Sequence, residues 1–229
     1  MPKIPASIHK MRETSATVGH WTFGEGVGTT IQDSSGNART ATFGAGGLAP
    51  AWVSTGRLKY AVSFDGVDDV ISITHATPLN PAVITVMAWV NQSAAGNYPA
   101  YVTKYASGSN RWELIGNSIS GKPEFLISNV NGTVEAVGTT IMQNAGWTFV
   151  VGTFDGITAR IYVNGVQEGT AALAGNLDTN TADVGIGNRP STGVPYPGQI
   201  DDVQIRNVVM TAAQILEEFE LLPSVTCYA

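Results

Sequence analysis

Three groups of carboxylates stand out as candidates for chemistry: Asp33, Asp65 with Asp68 and Asp69, and Asp201 with Asp202. They lie on separated segments rather than in one contiguous metal loop. Ca2+ takes about six to eight oxygens, so side chains and carbonyls from such segments could share an ion. The same aspartates suit turns equally well, because a short carboxylate hydrogen-bonds its own backbone two residues on. For Asp155, followed by Gly156, the turn-forming role is the expected one. A second set is aromatic. Tyr98, Tyr101, Trp112 and Tyr196 fall in or beside loop-like stretches that also carry Asn97, Asn110, Arg111, Asn188 and Arg189. Rings stack on the apolar CH faces of sugars, and loops on a rigid scaffold present them at little entropic cost; the same rings also serve as packing under long loops. Glycoside hydrolysis needs two carboxyl groups about 5–9.5 Å apart, yet Glu113, Glu124, Glu135 and Glu168 stand alone on different segments. His9, His20 and His75 lack a Ser, Asp or second His at triad or ligand spacing, and Glu217-Glu218 reads as the solvated face of a terminal helix.

The elements that must position these residues are strands. Trp147–Leu173 holds β-branched runs separated by Asp155-Gly156 and Asn164-Gly165, the dipeptides that tolerate the positive φ of type I′ hairpin turns. If Asn164-Gly165 is a two-residue loop, Val163 faces Val166 and Tyr162 faces Gln167. Side chains alternate along a strand, so Ile161 and Val163 belong to a core face, while Arg160 and Tyr162 meet solvent or a partner.

The same alternation predicts strands from Gly19 to Phe23, at Trp52-Val53, and over Tyr60–Phe64 and Val70–Thr74. Ala82–Val90 is almost wholly apolar and suits a central strand buried on both sides. Ala100–Tyr105, Trp112–Ile115 and Glu124–Ser128 follow, then Asn131-Gly132 as a further hairpin signal before Thr133–Thr140. Asp183–Gly187 and Gln199–Arg206 close the series. Short strands at regular spacing with turn residues between them indicate a sandwich or barrel, not βαβ units. One short helix follows. Thr211 is its N-cap, Gln214 completes a capping box, Ile215, Leu216 and Phe219 form its apolar stripe, and Pro223 stops it. Residues 1–18 are aperiodic and read as an arm, 19–222 as one domain, and 223–229 as a tail.

Composition narrows the function classes. The chain has 229 residues, 43% apolar and only 13% charged, with a net charge of −6. No Lys/Arg cluster occurs, which argues against a nucleic-acid surface and against a polybasic membrane patch. No apolar run is long enough to span a bilayer. The single cysteine, Cys227, allows neither an intrachain disulfide nor a cysteine-based zinc site. The N-terminal stretch MPKIPASIHKMRETSATVGHW lacks the apolar segment of a signal peptide.

An ordered series of motifs resembles the laminin-G-like, concanavalin A-like jelly-roll domains. It runs through the Trp21-centred opening, Asp33-Ser34-Ser35-Gly36-Asn37, Val62-Ser63-Phe64-Asp65-Gly66 with Asp68-Asp69, and Val86-Met87-Ala88-Trp89-Val90. It continues with Trp147–Phe154 and Asp155-Gly156, then Ile161-Tyr162-Val163-Asn164-Gly165, and ends at Gly198-Gln199-Ile200-Asp201-Asp202-Val203. The resemblance implies an all-β sandwich of two antiparallel sheets, one of them concave, and an extracellular or surface setting. It also implies a structural Ca2+ where the opening strand, the Phe-Asp-Gly turn and the last strand approach. Asp201 would be the foremost ligand, with Asp65, Asp33 and carbonyls around Trp21 and Asp65-Gly66. Catalytic relatives carry a Glu-x-Asp-x-Glu type string on one strand, and none occurs here; the alginate-lyase signatures are missing too. The expectation is therefore a non-catalytic carbohydrate-binding or adhesion module. Tyr98, Tyr101, Trp112, Tyr196 and Arg189 would contact the oligo- or polysaccharide, while Trp21, Trp89 and Trp147 pack the strands. The alternative is a structural or assembly protein, from a phage or a cell surface, that uses the sandwich to contact a host or assembly protein.

The face assignment in the central hairpin is directly testable. Val163→Asp should be severely destabilising, because it buries an unpaired charge, whereas Arg160→Asp should be mild. Urea denaturation of the two variants measures the difference.

Overall fold

A computed structural model describes residues 16–57, 59–106 and 111–221. His9, Asn110, Pro223 and Cys227, most of the expected arm, and the tail lie outside the described residues. Thr17 and Val18, expected to be part of the arm, already belong to the first strand.

The strands are β1 (Thr17–Trp21), β2 (Thr30–Ile31), β3 (Ala41–Phe43), β4 (Ala51–Val53), β5 (Ala61–Asp65), β6 (Ile71–Ile73), β7 (Ile84–Gln92) and β8 (Ala100–Tyr105). They continue as β9 (Arg111–Gly116), β10 (Pro123–Asn129), β11 (Gly132–Val137), β12 (Thr148–Phe154), β13 (Thr158–Val163), β14 (Val166–Ala172), β15 (Val184–Ile186) and β16 (Pro197–Arg206). The helix α1 spans Ala212–Leu221. The first sheet runs β14-β13-β12-β7-β16-β5-β4, with β1 on the far half of β16; the second runs β11-β10-β9-β8-β15-β6-β3-β2. Among the described residues all pairings between these strands are antiparallel, so the all-β sandwich expected from turn spacing is the observed fold.

The central hairpin has the expected register, Val163 opposite Val166 and Tyr162 opposite Gln167, with Asn164 and Gly165 both at positive φ. One detail differs at the next hairpin. Asn129 pairs with Gly132, so the two-residue loop is Val130-Asn131 rather than Asn131-Gly132. The Asn129 carboxamide oxygen accepts the Asn131 N–H at 2.8 Å, fixing the turn one residue earlier.

Two apolar layers result. Between the sheets lie Trp21, Phe64, Val86, Val90, Val102, Leu114, Phe125, Ile127, Val150 and Ile161. Phe125 approaches β12 so closely that a Cβ at Gly152 would lie 2.3 Å from its ring, which explains a glycine in a strand that is otherwise large and apolar. The second layer lies outside the first sheet. Met87, Trp89, Phe149, Val151 and Tyr162 are covered by Met210 and Ile215, with Phe219 stacked 5.8 Å from Trp89. Tyr162 therefore does not meet solvent; the helix supplies its cover. The capping box forms as expected. Gln214 Oε1 accepts the Thr211 N–H at 2.9 Å, and Thr211 Oγ1 accepts the Gln214 N–H at 3.3 Å. Glu218, expected to be solvated, is buried instead and faces Arg206 at 3.8 Å.

The long outer strands of the two sheets close on each other. Gly169 of β14 lies so near β11 that a Cβ there would sit 2.1 Å from the Val137 carbonyl oxygen. Register slips between Ile161 and Tyr162, leaving Glu168 as a bulge residue. Its carboxylate accepts the Thr139 and Thr140 N–H groups, at 2.6 and 3.0 Å, just beyond β11.

Gly152→Ala should lower stability by about 1–3 kcal/mol, the usual cost of overpacking a core. Chemical denaturation measures it, and a loss below about 0.5 kcal/mol would show that the inter-sheet layer can give way there.

Candidate functional site

The outer face of the second sheet lacks the central apolar patch and helix that cover the first. Cross-strand register aligns Thr30, Thr42, Ser72, Gly185, Thr103, Glu113, Leu126 and Glu135 in one row across all eight strands. Directly opposed residues put their side chains on the same face, so this row is a polar floor. A parallel row holds Tyr105, Arg111, Ser128 and Thr133, and on the other side lie Ala100, Ile115, Glu124 and Val137.

At the centre is Glu113, fully buried, opposite Thr103. Burying a carboxylate is costly unless it is paired and hydrogen-bonded. Arg189 meets that requirement, donating from Nε to Oε2 at 2.6 Å and from Nη2 to Oε1 at 3.0 Å. Arg111 Nε stands 3.3 Å from Oε1 as a second cation. Both guanidinium groups lie over Tyr105, Arg189 at 4.1 Å and Arg111 at 5.4 Å from the ring centre. The segment carrying Arg189 is folded over the sheet by Asn188, whose Oδ1 accepts the Arg189 and Val194 N–H groups at 2.9 and 2.8 Å. Val194 then packs on Ala100 and Ile115.

Glu124 flanks the floor diagonally to Glu113. Asn117 Nδ2 donates to its Oε2 at 2.9 Å, while the buried Oε1 has no hydrogen-bond partner. Burial raises its pKa above the ordinary value of 4.5, with repulsion from Glu135 and Glu113 adding to this and the Asn117 hydrogen bond opposing it. Glu113 and Glu124 are thus neighbours, although the sequence shows them as isolated acids. They do not form an open pair across a cleft: both Glu113 oxygens are held by Arg189.

The aromatic rim expected from sequence does not form. Tyr101 and Tyr196 are fully buried and meet edge to face at 5.4 Å between the sheets. The Tyr101 hydroxyl bonds Gln92 Oε1 at 3.1 Å, and burial pushes its phenol far up in pKa. Trp112 also points inward, since it alternates with the outward Arg111 and Glu113. These three rings are core, not ligand platforms. Tyr98 is partly exposed in the β7–β8 loop at φ 54, apart from the other three. Arg189 does reach a solvent-facing cluster, but its partner ring is Tyr105, which the sequence reading passed over. The signal that could have found this face was the alternation on β9, where Arg111 and Glu113 flank the inward Trp112; on β8 the buried Lys104 between Thr103 and Tyr105 hides it.

The three expected metal ligands do not converge. Asp33 accepts N–H groups from His20 and Ser35 on Oδ1 and from Arg39 on Oδ2, at 2.9–3.0 Å. Asp201 Oδ2 accepts the Arg57 N–H at 2.8 Å. Asp65 lies opposite Pro197, four positions, or about 13 Å of strand, from Asp201. The last strand does meet both the Phe-Asp-Gly turn and the opening strand, but at opposite ends. As one donor set the trio does not fit a single ion. Asp65 is instead grouped with Asp68 and Asp69, ligand atoms within 4.8 Å of one another, where its Oδ1 accepts the Val67 N–H at 2.8 Å as in an Asx turn.

A further polar cluster sits at the end of the sandwich. Lys104 is fully buried, its ammonium held by the Ala182 carbonyl and by His75 Nδ1 at 3.1 Å. Burial pushes its pKa down to about 8, with nearby Asp183 opposing the shift.

Two antiparallel sheets of eight strands packed face to face define a concanavalin A-like sandwich. A family model described as the concanavalin A-like lectin/glucanases superfamily, of laminin-G type, matches residues 65–216, and the chain belongs to this family. No curated protein matches the chain. Among solved structures it is similar to the binding domain of Paraclostridial Mosquitocidal Protein 1, with TM-score 0.73 and 13% identity over 89% of this chain and 52% of that one. It is also similar to domain 4 of AbnA, an extracellular arabinanase from Geobacillus stearothermophilus solved with arabinotriose. There the TM-score is 0.72 and the identity 18%, over 88% of this chain and 97% of that one. A third likeness is to the botulinum neurotoxin type G receptor-binding domain, with TM-score 0.67 and 15% identity over 90% and 51% of the two chains. The chain thus spans about half the length of the two toxin domains. These likenesses show the fold.

Glu124 yields a pH prediction. A carboxyl whose pKa is raised on folding stabilises the native state at low pH, and that stability is lost as pH rises through the folded value. Glu124→Gln should therefore match wild type near pH 4 and become progressively the more stable of the two as pH is raised toward 7. Melting curves across that range check the sign.

Proposed function

We propose that this chain is a non-catalytic carbohydrate-binding module whose ligand lies along the outer face of the second sheet. The observation that carries the reading is the contrast between the two outer faces. The first carries a central apolar patch closed by α1; the second is a polar row with exposed ends at Thr30, Thr42 and Glu135 and no helix over it among the described residues. Tyr105, half-buried under the two guanidinium groups, sets an aromatic ring next to hydroxyl and guanidinium donors, the mixture that sugars require. Support also comes from the arabinotriose-bound domain among the similar structures and from the others being binding domains. Recognition on this reading is by stacking and hydrogen bonds, with no covalent step. The locked state of Glu113 agrees with that.

A glycan array that includes arabino-oligosaccharides, followed by calorimetric titration, tests the reading. Tyr105→Ala should weaken the affinity about tenfold, the scale of one lost stacking contact, with little change in melting temperature. Tyr98→Ala should leave it unchanged. The reverse pattern would move the site to the loop end of the sandwich. No binding to any glycan, together with stable association with itself or a protein, would favour the assembly-protein alternative.

A further inference from the structure

Two cations on the outer face of the second sheet share one counter-charge. Arg189 spends its Nε and Nη2 on the two Glu113 oxygens. Arg111 touches the same carboxylate only through a 3.3 Å ion-pair contact, and its Nε makes no hydrogen bond. Its guanidinium is held against Tyr105, and about a fifth of the side chain is exposed. Among the described residues, no carboxylate other than the shared Glu113 is paired with it. Ser128, its cross-strand partner, and Thr133 beyond are uncharged and bonded to each other at 2.8 Å. Glu135 lies in the adjacent row two strands away, and Glu124 belongs to the row beyond Glu113. Counting Arg111, Arg189 and Glu113, the cluster retains one positive charge on a chain whose net charge is −6. Planar guanidinium donors match the oxygens of a carboxylate or sulfate, and a stacked ring fixes their plane in advance.

We propose, building on the carbohydrate-binding reading, that Arg111 is an anion subsite, so that the module selects glycans bearing a uronate carboxylate or a sulfate ester. Tyr105 positions the guanidinium, and Arg189 keeps Glu113 from claiming it. A neutral oligosaccharide leaves the Arg111 donors to water; an anionic one replaces that water with a charge-assisted pair.

The test uses matched ligands. Oligogalacturonate is titrated against its methyl ester, and a sulfated galactan oligomer against its desulfated form. Wild type should bind at least one charged member about tenfold more tightly than its neutral partner. The arm that responds identifies carboxylate or sulfate as the source. Arg111→Gln should erase the difference, and Arg111→Lys should retain only part of it, because the charge remains but the planar fork is lost. Arg160→Gln, an equal loss of charge on the other sheet, should change nothing, and melting temperatures confirm that each variant is folded. Equal affinity for charged and neutral partners overturns the anion subsite while leaving the carbohydrate reading intact. A preference that survives in folded Arg111→Gln also overturns it. Silence toward these ligands and across the whole array removes both.

Discussion

The whole first sheet depends on β16. This strand lies opposite β7 along most of its length, pairs with β5 through its first half and takes β1 on its second half. One strand near the C-terminal end thus fixes the position of one near the N-terminal end. Such closure brings the ends of a very long loop together, which costs entropy before any contact compensates for it. The switch of partners occurs at an irregularity between Asp201 and Gln204, with Asp202 at φ 48. A non-glycine residue in that region is unusual, and here the side chain is anchored, Asp202 Oδ1 lying 2.7 Å from His20 Nε2 on β1. The bulge turns one strand into two edges, one for β5 and one for β1.

Local patterns were legible in the sequence; what depends on alignment between strands was not. The β13–β14 turn, the buried run of β7, the capping box at Thr211 and the inward side of Ile161 all follow from residues a few positions apart. Glu113, Glu124 and Glu135 are different. Each is a lone acid until the register sets β9, β10 and β11 side by side, and register is fixed by how apolar faces meet across the whole sheet. The aromatic expectations failed for a related reason. Tyr101 and Tyr196 border loops in the sequence but point inward, and a phenol can be buried once its hydroxyl finds a partner, as Tyr101 does in Gln92. The aspartates lie apart because closeness to the last strand is not closeness to one point on it.

The two outer faces show how one architecture divides its labour. At the middle of the first sheet, on β7 and β12, apolar residues alternate with apolar residues, so both faces there must be covered, and the helix α1 supplies the second cover. In the second sheet the outward positions include Thr, Ser, Glu, Tyr and Arg beside Leu126, Ile115 and Val137. The buried charge at the centre is balanced by the Arg189–Glu113 pair, with Val194 packed on Ala100 and Ile115 beside it. Removing one member of such a pair leaves an uncompensated buried charge, so Arg189 and Glu113 fix each other's place on the face. Rigidity of that kind reduces the ordering cost of binding a flexible chain.

The margins of the sandwich carry a consequence of a different sort. The long outer strands β11 and β14 are folded against each other through Gly169 and the Glu168 bulge. At the opposite ends of the two strand orders lie β4, with three residues, and β2, with two. A neighbouring polypeptide seeking to extend either sheet finds no adequate template there, because strand addition needs a run of unpaired backbone groups. Domains of this shape can be strung closely along one chain, or crowded on a surface, without their sheets merging.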